Sequence, residues 1–437
     1  MRLIRLLKND LAREAAAWVD EEIIDPQQAQ AICQRYGADF EQARNSSFAY
    51  NILISLGFLF VGVALIILIG ANWQEIPRGV RMWGLISLTV STQLLAVRQY
   101  LSNEPPPIGL FLLGNLFFGA SIILIAQVYH LGEHMPDGIF WWALGSLPFA
   151  VLTRSPWLTL FSLVLGIIWF FVEAGMHFNP VLFPLFILAA IWVLVVGSQS
   201  VVLFLTTLFS IGLYLEYNFS EYWNNQHSFD FLIENAVISV GLFILAYAFS
   251  YWLRLRGTVK ALDYAAVLSV WVLRFALLML FILSFEEPWR ILIKEEWLYL
   301  DSLLLLMSLL AALSLLLVRN TNRIKAVAGL CMAYFIILFL LISSSEQAYS
   351  LYFQVFDNTV LVLTGVGLIM RGIQHGVSHY FFLGVWSILI TGFLRYIDLI
   401  ESYVGGALLF LFFAAILLAA AKYWKHTNSA QELLNAE

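Results

Sequence analysis

Residues 326–345 read AVAGLCMAYFIILFLLISSS, a stretch without a charged side chain that lies between Lys325 and Glu346. An α-helix needs about 20 apolar residues to cross the roughly 30 Å of hydrocarbon in a bilayer. The stretch therefore predicts a transmembrane helix. Similar runs follow one another along the chain, which indicates a protein built from many such helices.

Fourteen apolar runs can be counted beyond residue 46, separated by short polar or Gly/Pro-containing segments. The runs near Leu147 and Leu363 are short for a membrane crossing, so we expect about 12 to 14 spans. The predicted fold class is all-α, a polytopic transmembrane helical bundle. The runs are centred near Gly57, Ser87, Phe118, Leu147, Val164, Ala189, Phe209, Leu245, Leu273, Leu309, Phe335, Leu363, Val385 and Leu411.

The composition agrees with this fold and excludes several classes of protein. Of the 437 residues, 61% are hydrophobic and 12% are charged, whereas soluble domains carry about 25% charged residues. Such a chain cannot cover itself with polar surface, which excludes an ordinary soluble enzyme and a disordered protein. The formal net charge is -6 without a basic tract, so we expect membrane lipids and no nucleic acid as partners.

The polar N-terminal segment is predicted to form a small helical cap. Residues 1–46 carry six Lys/Arg and eight Asp/Glu; residues 47–424 would form the transmembrane domain and 425–437 a short cytoplasmic tail. Within the cap, the sequence Asp-Pro-Gln-Gln predicts a helix start, with Asp25 as N-cap and Gln28 reaching back to it. A cleavable signal would place its apolar core nearer the start, so we expect an uncleaved anchor.

Basic residues are distributed unequally between the two sides of the predicted bundle. With the N-terminus inside, 17 of the 23 Lys/Arg fall in inner segments and 5 in outer loops, while Arg274 falls within a span. Because positively charged loops stay in the cytoplasm, both termini are predicted to be cytoplasmic. Two outer loops, 216–234 and 285–298, are long, and the second has the pattern of an interfacial helix. Three interpretations of these loops stay open: a solvated cap, a gate and a docking surface.

Charged residues inside apolar runs are candidates for a functional site, because a charge in hydrocarbon costs about 2.5–3.5 kcal/mol. Arg274 lies near the centre of its run, in SVWVLRFALLML. It is either an anion-binding or gating charge that faces a cavity or the structural partner of a carboxylate on another helix. Glu173 is interpreted as interfacial. Arg395 and Asp398 lie three residues apart and are predicted to form a local ion pair.

Asn115 and Gln127 are uncharged polar residues within the apolar runs, and amides in membranes commonly form hydrogen bonds between helices. The tract HLGEH that begins at His130 matches the His-x-x-Glu-His metalloprotease pattern. Its glycine and the Met-Pro-Asp-Gly that follows predict a turn instead of the regular helix that such a site requires. We therefore predict no catalytic metal there.

Three further observations argue against a metal or cofactor. His375 and His379 are spaced for one helix face, but they lie on a predicted inner loop without a carboxylate nearby. Cys33 and Cys331 lie far apart, which predicts neither a disulfide framework nor a metal site. No phosphate-binding loop or dinucleotide fingerprint occurs in the sequence. We expect no cofactor.

Three tracts together resemble a known family: GANWQEIPRGVRMW at 70–83, IAQVYHLGEH at 125–134 and WWALGSLPFAVLTRSPWL at 141–158. The segment is similar to the bacterial predicted membrane proteins that contain the domain of unknown function 2157. The stretch at 361–399 is similar to the C-terminal part of long members. The resemblance implies a location in the bacterial cytoplasmic (inner) membrane and brings no activity with it. The matching first-loop positions are Ala71, Asn72, Trp73, Pro77 and Arg81.

The first loop itself is interpreted as a structural clasp at the outer membrane face. Trp73 suits the interface between lipid and water, and Pro77 begins a turn or a helix. The charged side chains of Glu75, Arg78 and Arg81 could pair with one another in this loop.

Three hypotheses for the function remain open. The first is a carrier or permeation pathway for a small solute or lipid, motivated by the number of spans and by Arg274. The second is a non-catalytic subunit or sensor that binds a companion membrane protein through the cap or the outer loops. The third is a membrane-embedded transferase acting on a lipid-linked substrate, which would need His130, Glu133, Glu216 and Glu234 at the outer face. A ligand-accessible Arg274 would favour the first, and a carboxylate sealing it would exclude the first.

Overall fold

The structure is a computed structural model that describes residues 77–102, 107–129, 136–224, 233–294, 299–344 and 349–398, together with 23–35 and positions 14, 15, 18, 19, 21, 56, 57, 60, 61, 64, 297 and 411. The regular elements in these residues are helices. They are α1 (Pro26–Arg35), α2 (Arg78–Leu101), α3 (Ile108–Tyr129), α4 (Pro136–Thr153), α5 (Pro156–Gly175), α6 (Pro184–Val196), α7 (Val201–Asn224), α8 (Ile233–Leu255), α9 (Val259–Leu283), α10 (Glu286–Lys294), α11 (Leu300–Val318), α12 (Ile324–Ser343), α13 (Tyr349–His375) and α14 (Ser378–Asp398).

Nine helices within the described ranges are long and apolar enough to cross a membrane, namely α2, α3, α5, α7, α8, α9, α11, α12 and α13. Each of the twelve predicted runs from Ser87 to Val385 coincides with a helix. The predicted all-α, polytopic fold is therefore confirmed. The runs centred near Gly57 and Leu411 fall mostly outside the described residues, so the expected total of spans stays a prediction.

Two details of the sequence-based prediction are wrong. The run near Leu363 is not short, because α13 is 27 residues long and passes through its polar positions without a break. Residues 216–224 and 233–234 of the predicted loop 216–234 are helical, because α7 extends to Asn224 and α8 begins at Ile233. The side chain of Asn235 fixes the two helix ends: its Nδ2 donates to the Glu216 carbonyl at 2.9 Å and to Glu216 Oε2 at 2.8 Å.

The predicted helix start in the cap is confirmed. Helix α1 begins at Pro26, and the backbone N–H of Asp25 donates to Gln28 Oε1 at 3.1 Å. This is the reciprocal arm of a capping box, in which the third side chain of the helix satisfies the N-cap amide. Ala15, Ala29 and Cys33 are fully buried against one another, so residues before α1 pack on its apolar face.

The described residues separate into two compact units, the first within 1–235 and 253–267 and the second within 236–252 and 268–437. In the first unit, consecutive helices from α2 to α7 pack on one another. Its core is aromatic: the Phe170 ring lies 4.9 Å from that of Phe183 and 5.1 Å from that of Tyr217. Such ring pairs add specific contacts to the apolar area that they bury.

In the second unit, α13 and α14 form the most extensive helix pair, and α10 packs across α13. Helix α10 covers most of the predicted interfacial segment 285–298, so its predicted helical state is confirmed. Its Trp289 is buried, stacks on Phe353 with ring centroids 5.1 Å apart, and donates from Nε1 to the Leu283 carbonyl. The polar side of α10 carries Glu286, Glu287 and Arg290.

Candidate functional site

Arg274 lies near the middle of α9, the apolar helix of 25 residues that the second unit shares with the first. Its side chain is exposed, and its guanidinium carbon lies 5.3 Å from the centre of the Trp271 ring, one turn earlier. A cation over an aromatic face is stabilised by the ring quadrupole. No carboxylate of the described residues pairs with Arg274, so no described group seals it.

His379 is the second residue of α14, and it lies close enough to Arg274 for the guanidinium charge to act on the imidazole. Its ring packs on Tyr380 with centroids 4.2 Å apart. Both ring nitrogens are shielded from solvent and have no hydrogen-bond partner among the described residues. The exposed guanidinium of Arg274 offers charged donors of the kind that bind an anion, and His379 lies near it on another helix.

A second polar site in the same unit was not predicted from the sequence. Along α13, Ser350, Gln354 and Asp357 follow one another at intervals of four and three residues, and all three are buried. Side chains at this spacing share one face of a helix. This regular spacing of polar residues within an apolar helix is the sequence signal that marks the site.

Residues outside α13 accept hydrogen bonds from several side chains of this polar face. Gln354 Nε2 donates to the Ser284 carbonyl at 3.1 Å, and Asn358 Nδ2 donates to the same oxygen at 3.3 Å. The Ser350 hydroxyl donates to Glu286 Oε1 at 2.8 Å. Two oxygens of this face, Asp357 Oδ2 and Asn358 Oδ1, are buried without a hydrogen-bond partner in the described part of the chain, and only the first belongs to a carboxylate.

Arg395, on α14, lies close enough to Asp357 for its charge to act on that carboxylate. Its guanidinium carbon also lies 5.7 Å from the centre of the Phe285 ring. The sequence predicted a pair with Asp398 instead. The side chain of Asp398 lies outside the described residues, so that pair stays a prediction, while Asp357 is an acidic neighbour from another helix.

Asn115 is buried between helices of the first unit. Its Oδ1 accepts a hydrogen bond from Gln93 Nε2 at 2.9 Å, and its carbonyl accepts one from Trp142 Nε1 at 2.8 Å. Asn115 therefore links α2, α3 and α4, which is the ordinary structural use of an amide in a membrane. The side chain of Gln127 lies outside the described residues.

Glu173 and the first-loop residues are not brought to the sites of the second unit. Glu173 lies near the end of α5, and its charge acts on the Tyr217 hydroxyl in the first unit. Pro77 precedes α2 and Arg78 is the first, exposed residue of that helix. Outside the described residues lie Asn72, Trp73, Glu75, the side chain of Arg81, and the tract 130–134 with His130, Glu133 and His134.

No group of three or more potential ligands that could hold a metal ion occurs in the part of the chain that the structure describes. The expectation that His375 and His379 share a helix face is wrong. His375 ends α13 and His379 belongs to α14, because Gly376 adopts a φ of 62° between them. Glycine takes this left-handed conformation without steric cost, which allows the sharp turn.

Residues 16–159 match the family model described as predicted membrane protein (DUF2157). The match covers about the N-terminal third of the chain. The match confirms the resemblance predicted from the tracts at 70–83, 125–134 and 141–158, whereas the similarity predicted for 361–399 lies beyond it. No curated protein and no solved structure matches the chain.

The DUF2157 segment contains Asn115 but neither Arg274 nor Asp357. The description of the family gives a membrane protein and no activity. Together with the nine long apolar helices among the described residues, the match shows an integral membrane protein that passes through the bilayer several times. The two candidate polar sites lie in the part of the chain that follows the DUF2157 segment.

Proposed function

We propose that this protein is a carrier in the bacterial cytoplasmic membrane that binds the anionic headgroup of a lipid or another amphiphile at Arg274, near His379. One observation carries the proposal: Arg274 is exposed near the middle of a candidate span and no acidic group of the described residues pairs with it. A bare guanidinium in hydrocarbon is costly. An anionic headgroup would compensate that cost.

The surroundings of Arg274 favour an amphiphile over a small polar solute. Trp271, Phe275, Leu278 and Ile282 are exposed on the same helix. Their spacing places them along one face together with Arg274. An acyl chain could lie along these side chains while its phosphate or carboxylate accepts hydrogen bonds from Arg274.

The proposal includes a topology. The cap of residues 1–46, the membrane domain of 47–424 and the tail of 425–437 would leave both termini in the cytoplasm. Support comes from the described turns: Arg254, Arg256 and Lys260 surround the α8–α9 turn, and further basic residues occupy the α11–α12 turn. Basic turns of this kind are retained in the cytoplasm.

The test measures the equilibrium binding of phosphatidylglycerol and of phosphatidylcholine to the detergent-purified full-length protein. The increase in melting temperature that each lipid causes reports its binding. We expect phosphatidylglycerol to stabilise the wild type and Arg274→Gln to weaken its binding about 10- to 100-fold, the value of one or two charge-assisted hydrogen bonds. Arg274→Lys should retain part of the affinity because it keeps the charge. Arg290→Gln, an exposed arginine on α10, serves as the matched control and should bind as the wild type does.

Equal binding of the two lipids by the wild type, or unchanged binding by Arg274→Gln, would contradict the proposal. The second candidate function, a non-catalytic subunit, would use the same exposed face of α9 to dock a companion helix that carries a carboxylate. In that case purification in mild detergent would recover a stoichiometric partner, and Arg274→Gln would release it.

A further inference from the structure

Asp357 is a buried carboxylate within a candidate membrane span. It is 4% exposed and lies eight residues inside α13, about 12 Å along the helix axis from Tyr349 at a rise of about 1.5 Å per residue. Its Oδ2 has no hydrogen-bond partner among the described residues. An ionised carboxylate without a donor is strongly disfavoured in such surroundings, whereas the neutral acid is tolerated.

The charge of Arg395 opposes this effect. Its guanidinium acts on Asp357 from α14, and a nearby positive charge favours the ionised carboxylate. Burial and Arg395 therefore act in opposite directions on the same group. A carboxyl group between two such influences can exist as the neutral acid or as the carboxylate.

The other polar neighbours of Asp357 already have partners, so they do not alter the opposed effects of burial and of Arg395 on its carboxylate. On α10, Glu286 forms an ion pair with Arg290 at 3.0 Å and accepts from Ser350. The end of α9 offers the Ser284 carbonyl, which already accepts from Gln354 and Asn358. The charged residues of α9 are Lys260, Asp263 and Arg274, and the nearest of them to Ser284 in sequence, Arg274, lies ten residues before it. Among the described residues, Arg395 is the charged group that acts on Asp357.

We infer that Asp357 is a proton-binding site within the membrane, with Arg395 as the fixed positive charge that promotes release of the proton. Protonation takes up one proton from the solution, forms one O–H bond on the carboxylate and gives the neutral acid. No other bond changes. The partly exposed Glu286 and the Ser350 hydroxyl lie on the same polar face of the α10–α13 pair. They offer an entry for the proton from the α10 end of the unit.

The inference is tested with dicyclohexylcarbodiimide, which reacts with protonated carboxyl groups in apolar surroundings. The full-length protein in detergent is treated at pH values between about 5 and 9, the range in which buried carboxyl groups titrate, and the adducts are located by peptide mass spectrometry. We expect an adduct on Asp357 that decreases as the pH rises. Asp357→Asn should remove it, and Asp301→Asn, an exposed acid in the first turn of α11, should leave it unchanged.

Two variants of Arg395 complete the test. Arg395→Gln removes the positive charge, so the adduct on Asp357 should persist to higher pH, whereas Arg395→Lys should label as the wild type does. Absence of the adduct at every pH, or a yield that does not change with pH, would overturn the inference. The assay contains no lipid ligand, so its result is independent of the proposed anion binding at Arg274.

Discussion

Gly384 of α14 packs directly on the backbone of Gly365 of α13. A Cβ on Gly384 would lie 2.5 Å from the Gly365 carbonyl oxygen, and a Cβ on Gly365 would lie 3.2 Å from the Gly384 carbonyl oxygen. Close approach of small residues is a principal source of helix association in membranes, where apolar burial between helices gains little. The α13–α14 pair, which presents both Asp357 and Arg395, depends on this contact.

Gly384→Ala is therefore expected to destabilise the second unit by about 1–3 kcal/mol, the usual cost of overpacking, because the contacted atom belongs to the backbone and cannot move aside. Thermal unfolding in detergent should show a lower melting temperature than the wild type. Gly367→Ala is the control on α13, because a Cβ there would meet no atom within 4 Å. Equal melting temperatures for the two variants would refute the packing argument.

The amide pair of Gln93 and Asn115 should contribute measurably to stability. Their hydrogen bond joins α2 to α3 across 22 residues of sequence. A double-mutant cycle with Gln93→Leu and Asn115→Leu is expected to give a coupling energy of about 0.6–1.7 kcal/mol, the range found for hydrogen bonds between membrane helices. Thr359→Val is the control and should show no coupling with either variant, because that exposed hydroxyl donates within its own helix. A coupling energy of zero between Gln93 and Asn115 would contradict a stabilising hydrogen bond between them.

The stability of the α10 contact should depend on pH through Glu286. The Ser350 hydroxyl contributes most to lowering the pKa of Glu286 below its ordinary value of 4.5; burial opposes this shift, and Arg290 lowers the pKa further. A lowered pKa in the folded state stabilises the fold above the ordinary pKa, and this stabilisation is lost as the pH falls through the lowered value. Glu286→Gln should thus melt below the wild type at pH 7.

Acidification distinguishes this effect from a general loss of packing. The difference in melting temperature between the wild type and Glu286→Gln should shrink as the pH falls below 4.5. Glu287→Gln is the matched control: Glu287 is 71% exposed and lies 3.8 Å from Arg290, so we expect no difference at any pH. A difference that persists unchanged in acid would rule out the ionised Glu286 as its cause.

The proposed topology can be measured with reporter fusions. A reporter joined before Met1 and one joined after Glu437 should both be active on the cytoplasmic side, because the basic residues favour retention of those segments. A reporter inserted after Lys294, at the end of α10, should be active on the opposite side. Termini on different sides would contradict both the topology and the alternation of the predicted runs.

Much of the fold could be predicted from the sequence, since hydrophobic runs of sufficient length leave helices as the main choice in lipid. The two incorrect predictions both concern polar residues that lie within helices. Asp357 and Gln354 lower the hydropathy of α13, so the run near Leu363 is underestimated, yet both residues point to one buried face. Glu216 was assigned to a loop although Asn235, nineteen residues later, satisfies its oxygens within helical structure.

The candidate sites were less predictable because they depend on contacts between distant segments. Arg274 could be identified from its depth in an apolar run, but its proximity to His379 depends on the packing of α14 near α9. Asp357 acquires its positively charged neighbour Arg395 only through the α13–α14 pair. Periodicity within one helix carries no information about such neighbours.

Carriage of an anionic amphiphile past Arg274 is measured by the transbilayer movement of fluorescent phosphatidylglycerol in proteoliposomes. Dithionite added outside bleaches only the outer leaflet unless lipid crosses. We expect bleaching of both leaflets with the wild type and with Arg290→Gln, and an unbleached inner leaflet with Arg274→Gln. An inner leaflet that stays unbleached with the wild type, or full bleaching with Arg274→Gln, would rule out carriage past Arg274.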